Sequence, residues 1–175
     1  MIEGTRVCIR PIAMSDTDNI VKWRNSEWVR PYFIDRTPLT REIHENWLYT
    51  RVFTGKVAQF IIVEKESGRD IGTVYLRDID QTHSHAEFGI YVGEPTQRQK
   101  GLGKEAAELI CRYGFEQMGL HRIYLRVLAH NAAAIRCYEK VGFVMEGVLR
   151  EHARFEEGYH DIAMMGYLNP ADREK

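Results

Sequence analysis

The feature that most constrains the fold is a glycine-bearing loop that joins an apolar strand to a helix. Residues 86–92, with the sequence AEFGIYV, have the aromatic and β-branched content of a strand. From residue 102 onward the apolar residues recur at intervals of four, three and four, which define one helical face: Leu102, Ala106, Leu109 and Tyr113. The chain must therefore pass from strand to loop to helix within residues 86–113.

The loop itself, residues 98–104 with the sequence RQKGLGK, has the composition of an anion-binding site. The first turn of a helix leaves backbone N–H groups unpaired and carries a partial positive charge. Glycines allow an anion to approach these N–H groups closely, and the basic side chains add charge. The loop predicts a site for a pyrophosphate, formed by Arg98, Gln99, Lys100, Gly101, Leu102, Gly103 and Lys104.

Two common phosphate-binding motifs do not explain this loop. A P-loop requires a glycine five residues before Gly103 and a serine or threonine at position 105, where this chain has arginine and Glu105. A dinucleotide fingerprint is formally present, but eight residues separate Val92 from Gly101, and the strand at residues 124–126 lacks the expected acid. A nicotinamide or flavin site is therefore disfavoured.

Composition narrows the classes of partner. The chain has 175 residues, 44% of them hydrophobic, which suits one domain over residues 1–175. Its 24 basic and 25 acidic residues create no general attraction for nucleic acid or for an anionic membrane. The three cysteines form no C-x-x-C pair, and the N-terminal residues lack the apolar core of a signal peptide. These features predict a cytoplasmic protein.

Hydrophobic patterns along the chain predict an α/β sandwich with a mixed sheet of about seven strands and about four helices. The clearest element is a hairpin over residues 57–79, with its turn at Ser67 and Gly68. Other strands are predicted at residues 5–12, 86–92, 122–128, 143–149 and 159–168, and helices near residues 19–24, 41–53, 102–119 and 131–141.

A second motif lies in residues 131–143, NAAAIRCYEKVGF. Asn131 is a favourable N-cap, and Tyr138 follows two helical turns later on the same face. Together with R-Q-K-G-L-G at residues 98–103, this segment resembles the GNAT family of N-acetyltransferases over residues 5–168.

The resemblance implies acetyl-CoA as the cosubstrate and no metal. The loop amides of residues 99–104 would hold the pyrophosphate of coenzyme A. The strand containing Ile90, Tyr91 and Val92 would bind the pantetheine amides through its backbone, and Asn131 would contact the same arm. The family often has a serine three residues after this asparagine, whereas this chain has Ala134, so that hydroxyl contact is absent.

The reaction requires an uncharged amine and a stabilised leaving thiolate. The phenol of Tyr138 is predicted to be the general acid, with packing on the sheet as the alternative. Strand alternation places Glu87, Gly89 and Tyr91 on one face, so Glu87 is the predicted base, either directly or through water. An ion pair or a solvent-exposed charge is the competing interpretation of Glu87.

Three neighbouring side chains offer further alternatives. His83 and His85 flank the same strand and could replace Glu87 as the base. They could also bind a metal, but no third ligand is evident in the sequence, which disfavours a metal site. Cys137 is adjacent to Tyr138, yet no histidine is spaced to activate it, so a buried structural thiol is favoured.

The sequence is compatible with more than one class of amine as the acceptor of the acetyl group. The aromatic segment containing Trp23, Trp28 and Trp47 resembles acetyltransferases of nucleotide-linked amino sugars, although each aromatic residue could equally belong to the core. Two other segments resemble polyamine and ribosomal-protein acetyltransferases: residues 86–90, AEFGI, and residues 147–161, GVLREHARFEEGYHD. A non-catalytic sensor that binds acyl-CoA is the alternative to an enzyme. The alternating pattern of the closing strands predicts a homodimer.

Overall fold

The computed structural model describes residues 1–172, which form eight strands and four α-helices. The strands are β1 (Ile2–Glu3), β2 (Val7–Pro11), β3 (Ala58–Glu64), β4 (Arg69–Asp80), β5 (His85–Val92), β6 (Arg122–Leu128), β7 (Val144–Phe155) and β8 (Gly158–Leu168). The helices are α1 (Thr17–Asn25), α2 (Arg41–Trp47), α3 (Leu102–Glu116) and α4 (Ala132–Val141). The predicted α/β class and the order of the main elements are confirmed. The additional strand, β1, has only two residues and is too short to produce a sequence pattern.

The strands form one sheet in the order β1-β2-β3-β4-β5-β6-β8-β7. Neighbouring strands are antiparallel except for β5 and β6, which are parallel, so the predicted mixed sheet is confirmed. A parallel pair requires a crossover connection, and α3 supplies it. The loop that opens α3 therefore starts at the C-terminal end of β5.

Helices cover both faces of the sheet. Neighbouring residues of β3 show the division, because Ile62 belongs to the core beneath α3 whereas Ile61 belongs to the core beneath α1 and α2. The predicted apolar face of α3 lies in the first core, which also contains Phe88 of β5. Trp23 of α1 is at the centre of the second core and is 1% exposed.

Two elements differ from their predicted form. The helix predicted at residues 41–53 is α-helical only to Trp47 and continues as a π-helical turn over Leu48–Val52. β7 extends to Phe155, beyond the predicted end at residue 149. Its register shifts between Leu149 and Ala153, where Glu151 has a φ of 51°, and this irregularity interrupts the alternation that sequence patterns detect. No helix in residues 1–172 is long and apolar enough to span a membrane.

Candidate active site

A cleft opens in the sheet because β5 and β6 pair over only part of their length. Residues 85–87 pair with residues 122–124, and the two strands then diverge. On its other edge β5 remains paired with β4 as far as Val92. Beyond residue 87, the backbone groups of β5 that face β6 therefore have no strand partner. Such an edge can accept an extended ligand with amide groups in the manner of an added strand.

The cavity between the diverging strands has a volume of about 600 Å³. Eight of the predicted site residues line it: Glu87, Ile90, Tyr91, Val92, Arg98, Asn131, Ala134 and Tyr138. The other predicted residues lie in the loop next to it and in the first turn of α3. Contact between the two regions is close, since a Cβ built on Gly103 would lie 3.3 Å from Val92 Cγ2. The structure thus brings the two sequence motifs to one cleft.

The glycine loop has an unusual backbone that neighbouring residues hold in place. Gln99 and Gly101 both have positive φ values, 62° and 80°. Lys100 O accepts a hydrogen bond from Arg6 Nη1 at 2.9 Å. Glu105, in the first turn of α3, accepts a hydrogen bond from the backbone N–H of Arg6 at 2.8 Å. Both contacts attach the loop to the start of β2.

The start of α3 presents unpaired donors to this loop. The first intrahelical bond of α3 runs from Glu105 N to Gly101 O at 3.2 Å. Helix geometry leaves the N–H groups of residues 102–104 without an intrahelical acceptor. These donors, together with the helix dipole, suit the pyrophosphate of coenzyme A.

The face of α4 that borders the cleft carries Asn131 and Tyr138. Asn131 caps the N-terminus of α4, as predicted, and its Oδ1 accepts a hydrogen bond from Ala134 N at 3.2 Å. Its side-chain amide N–H groups can still donate to a ligand. The Tyr138 ring packs edge-to-face on Phe88, with 5.7 Å between the centroids. Burial raises the pKa of the Tyr138 hydroxyl, which therefore stays protonated and able to donate at neutral pH.

Glu87 lies at the closed end of the cleft, in the last paired position of β5 with β6. Its side chain is 4% exposed and accepts hydrogen bonds from Arg77 Nε at 3.0 Å and from Arg126 Nε at 2.8 Å. Burial alone would raise the pKa of Glu87, but the hydrogen bonds from Arg126 and Arg77 outweigh it and hold the pKa below its usual value. Glu87 is thus ionised and forms the ion pair that was the competing interpretation.

Aromatic residues and an arginine form the wall opposite the sheet. Trp28, Tyr32 and Phe33, from the segment between α1 and α2, line the cleft. Phe33 packs edge-to-face on Tyr91, with 5.5 Å between the centroids. The guanidinium carbon of Arg24 lies 3.6 Å from the centre of the Phe33 ring. Trp28 alone among the three tryptophans lines the cleft.

Two tryptophans hold the end of β5. Trp28 Nε1 donates to Gly93 O at 2.9 Å, and Trp23 Nε1 donates to Glu94 Oε1 at 2.8 Å. The Trp23 indole lies directly against Gly93, because a Cβ built there would be 2.1 Å from Trp23 Cγ. The segment that leads from β5 into the glycine loop is therefore attached to α1.

His83 and His85, the alternative bases, are not among the residues that line the cleft. Both lie at the turn between β4 and β5, together with Asp80. The ligand atoms of these three residues lie within 4.8 Å of one another, so the third possible metal ligand that the sequence did not reveal is Asp80. The Asp80 carboxylate already accepts a hydrogen bond from His83 N and lies 2.9 Å from His83 Nδ1.

Cys137 does not line the cleft either, although it precedes Tyr138. Its thiol is half-buried, and burial raises its pKa above the usual value. A raised pKa favours the protonated thiol, which is a poor nucleophile. The structure agrees with a structural role for Cys137.

Comparison with known proteins identifies the family. The model of the acetyltransferase (GNAT) domain matches residues 6–144. The chain belongs to the GNAT family. Spermidine N(1)-acetyltransferase of Escherichia coli K12 is 32% identical over 158 residues, which cover 90% of this chain and 83% of that protein. The corresponding enzyme of Vibrio cholerae is 28% identical over 165 residues, with 94% of each chain covered.

Solved structures agree with this family assignment. The crystal structure of spermidine N-acetyltransferase from Vibrio cholerae in complex with CoA and spermine superposes with a TM-score of 0.87. The identity is 26%, and the match covers 94% of this chain and 96% of that one. The protein is thus an N-acetyltransferase with acetyl-CoA as its cosubstrate. The unpaired edge of β5 and the free donors at the start of α3 fit this cosubstrate.

The sequence did not reveal several residues that line the cleft. Arg24, Arg77 and Arg126 come from α1, β4 and β6, and Tyr75 packs its ring over Gly89 from the neighbouring strand. The only local sign was the W-R-N segment that contains Arg24. The other arginines lie on strands where alternating charged residues are common, and only the pairing of the strands brings them together.

Proposed function

We propose that the protein transfers the acetyl group directly from acetyl-CoA to a primary amine, with Tyr138 as the general acid. The thioester supplies an activated acetyl group. The amine nitrogen bonds to the acyl carbon, the carbon–sulfur bond breaks, and the thiolate accepts a proton. The observation that carries this proposal is that Tyr138 lines the cleft beside the unpaired edge of β5.

The high pKa of Tyr138 limits how it acts. Because the pKa of this phenol lies above that of a thiol, Tyr138 donates a hydrogen bond to the sulfur as charge develops, and solvent replaces the proton that Tyr138 gives up. Such a donor is most effective where it is buried and already oriented. The edge-to-face contact with Phe88 provides that orientation.

Glu87 is our candidate for the group that receives the amine proton. Its two arginine partners keep it ionised, as a base must be, but they also weaken it as a base. We therefore propose that Glu87 acts through water, and that the proton passes on to solvent.

The acceptor class is a small-molecule amine in this proposal. Support comes from the spermidine acetyltransferases among the relatives and from a cleft of about 600 Å³, which suits a small molecule. Polyamines and amino sugars are the two small-molecule classes, and a protein N-terminus is the third candidate. We also propose that residues 1–175 act as one N-acetyltransferase domain, with a core at about residues 5–168, and that it acts in the cytoplasm, where its three free cysteines stay reduced.

We further propose that the protein forms a homodimer through β7. This strand is the edge of the sheet and exposes Val144, Met145, Val148 and Leu149. An exposed apolar edge strand invites pairing with another chain. A Vibrio cholerae relative is described as dodecameric, so assembly occurs in the family. Light scattering at micromolar concentrations should give the dimer mass, and a monomer or dodecamer mass would contradict it.

One assay separates the enzyme from a sensor of the same fold. Thiol release should be measured with acetyl-CoA and panels of polyamines, amino sugars and N-terminal peptides. We expect release of one coenzyme A for each amide formed with at least one panel. A sensor would bind acetyl-CoA, as seen by thermal stabilisation, and leave the thioester intact with every amine.

A further inference from the structure

The cleft contains more arginine than its carboxylates neutralise. Among the described residues that line it, the cationic side chains are Arg24, Arg77, Arg98 and Arg126, and the anionic ones are Asp35 and Glu87. The chain as a whole has a net charge of −1, so this excess is local. A local excess of one charge in a half-enclosed site selects ligands of the opposite charge.

Three of the four arginines have an assignment. Arg98 precedes α3 in the glycine loop, where the cofactor phosphates are proposed to bind. Arg77 and Arg126 both donate to the single carboxylate of Glu87. Arg77 also lies 3.9 Å from the carboxylate of Asp78, which does not line the cleft, so the closed end is close to neutral and the excess of positive charge lies at Arg98 and Arg24.

Arg24 is the remaining arginine of the cleft, and it contacts a backbone oxygen and an aromatic ring rather than a carboxylate. One of its terminal nitrogen atoms donates to the backbone oxygen of Asp35, and its guanidinium stacks over the Phe33 ring. The other terminal nitrogen, Nη1, is buried and has no hydrogen-bond partner within residues 1–172. The nearby Asp35 carboxylate is used instead by the backbone N–H of Thr37, at 2.9 Å. A buried guanidinium donor without an acceptor is costly unless a ligand supplies one.

We infer that the acceptor is a primary amine that also carries a phosphate group, and that Arg24 binds this phosphate. The inference rests on the proposed acetyl transfer and specifies its acceptor. A guanidinium matches two phosphate oxygens at once, and the stacking on Phe33 holds its plane in position. The pantetheine arm and the thioester of acetyl-CoA are uncharged, so neither supplies an anionic acceptor for Arg24.

The same charges disfavour a polyamine. Spermidine carries several positive charges at neutral pH, because its amines have pKa values near 10. Its ammonium groups would need free carboxylates, but Glu87 is occupied by two arginines and Asp35 is exposed beside Arg24. The acceptor specificity of this chain therefore differs from that of the relatives described as spermidine acetyltransferases.

A binding measurement on the wild-type protein tests the inference without requiring turnover. Calorimetry in saturating coenzyme A should compare glucosamine, glucosamine 6-phosphate, uridine diphosphate-glucosamine and spermidine. We expect at least one phosphate-bearing amine to bind about 10- to 100-fold more tightly than glucosamine and than spermidine, as expected for charge-assisted hydrogen bonds. The two phosphate compounds distinguish a terminal phosphate from a nucleotide diphosphate. Equal or tighter binding of glucosamine or spermidine would overturn the inference.

A pair of variants then assigns the effect to Arg24. Arg24→Gln should reduce the preference for the phosphate-bearing amine over glucosamine about tenfold or more. Arg41→Gln is the matched control, because Arg41 is an exposed arginine on α2 that pairs with Glu45 and Asp18. If Arg24→Gln does not fold, Arg24→Lys keeps the charge but loses the bidentate contact, and an unchanged preference in that variant would contradict the role of Arg24.

The thiol-release assay keeps this inference separate from the proposed function. Tight binding of a phosphate-bearing amine without release of coenzyme A would support the phosphate site at Arg24 and contradict the proposed acetyl transfer. Release of coenzyme A with a higher kcat/KM for spermidine or glucosamine than for either phosphate compound would support acetyl transfer. It would contradict the phosphate-bearing acceptor.

Discussion

The two ends of the cleft are built in different ways. The end where we propose that the cofactor binds consists mainly of backbone: the unpaired edge of β5, the left-handed turn at Gln99 and Gly101, and the first N–H groups of α3. The end where we propose that the acceptor binds consists of side chains, with Arg24, Glu87 and Arg126 among them. A backbone site needs a short local motif, whereas a side-chain site can draw on any part of the chain. A binding site made of backbone therefore tolerates sequence change, whereas a single substitution can alter a site made of side chains.

The largest expected effect concerns Tyr138, which serves both ends. Tyr138→Phe keeps the ring packing on Phe88 and removes only the hydroxyl donor. We expect kcat to fall about 10²–10⁴-fold, or roughly 3–5 kcal/mol of barrier, with folding and acetyl-CoA affinity unchanged. The matched control is Tyr113→Phe, because Tyr113 packs edge-to-face on Phe60 and does not line the cleft. If Tyr138→Phe keeps more than about a third of the turnover while chemistry limits the rate, the acid assignment fails.

Acid should lower the stability of the protein through a buried histidine between α1 and α2. His44 of α2 is 3% exposed and lies 3.0 Å from Thr17 Oγ1. Burial lowers its pKa to about 4, against the opposing effects of Glu45 and Asp16. Between pH 6.5 and 4 the unfolded chain binds a proton that the folded protein does not, so stability falls as the pH falls through this range. The expected loss is on the order of 3 kcal/mol.

Denaturant unfolding across this pH range measures the loss. His44→Gln should flatten the dependence, whereas His152→Gln, at an exposed position, should leave it as in the wild type. If the free energy of unfolding of His44→Gln depends on pH as strongly as that of the wild type, another group causes the loss of stability in acid.

Much of the fold, and the two motifs that meet at the cleft, could be predicted from the sequence, for a physical reason. β6 was predicted with its observed bounds, and the Asn131 cap was recognised, because a strand pattern and a cap depend on neighbouring residues. Arg24 and Arg126 are about a hundred residues apart in the chain, and no local pattern shows that they share a cleft. The sequence also could not show that the Glu87 carboxylate has two arginine partners.

Removing the Glu87 charge tests the side-chain end directly. Glu87→Gln leaves Arg126 without a carboxylate partner and leaves Arg77 with only the more distant Asp78, at 3.9 Å. We expect a loss of about 2 kcal/mol in the free energy of unfolding, less than for a fully buried pair because both arginines are about one-third exposed. Glu146→Gln is the comparison, since Glu146 forms a more exposed pair with Arg122 and should change stability by about 1 kcal/mol or less. If the two substitutions change the free energy of unfolding equally, burial of Glu87 does not strengthen its ion pairs.

The smallest expected effect is at the backbone end. Gly101→Asp places a carboxylate at the phosphate loop and should weaken acetyl-CoA binding about tenfold or more, seen as reduced thermal stabilisation by the ligand. Gly119→Asp is the matched control, because Gly119 also has a positive φ, 67° compared with 80°, but lies beyond the end of α3. Both variants place a side chain at a positive φ, and a Cβ at Gly101 also lies 3.0 Å from Arg6 Nη2, so stability without ligand is compared first. Only Gly101→Asp should lose the response to the ligand. Equal stabilisation of both would contradict the phosphate assignment.

The attachment of Trp23 and Trp28 to residues 93 and 94 has a consequence for how the two substrates communicate. The segment that contains Arg24, which we propose binds the acceptor, is held to the end of β5 that leads into the glycine loop. A shift of α1 on acceptor binding must therefore displace the residues that lead to Gly101, or be resisted by them. We expect each substrate to change the affinity for the other by the same factor, because thermodynamic coupling between two sites is reciprocal. The tryptophan pair would then be the mechanical linkage through which an otherwise rigid sheet coordinates donor and acceptor.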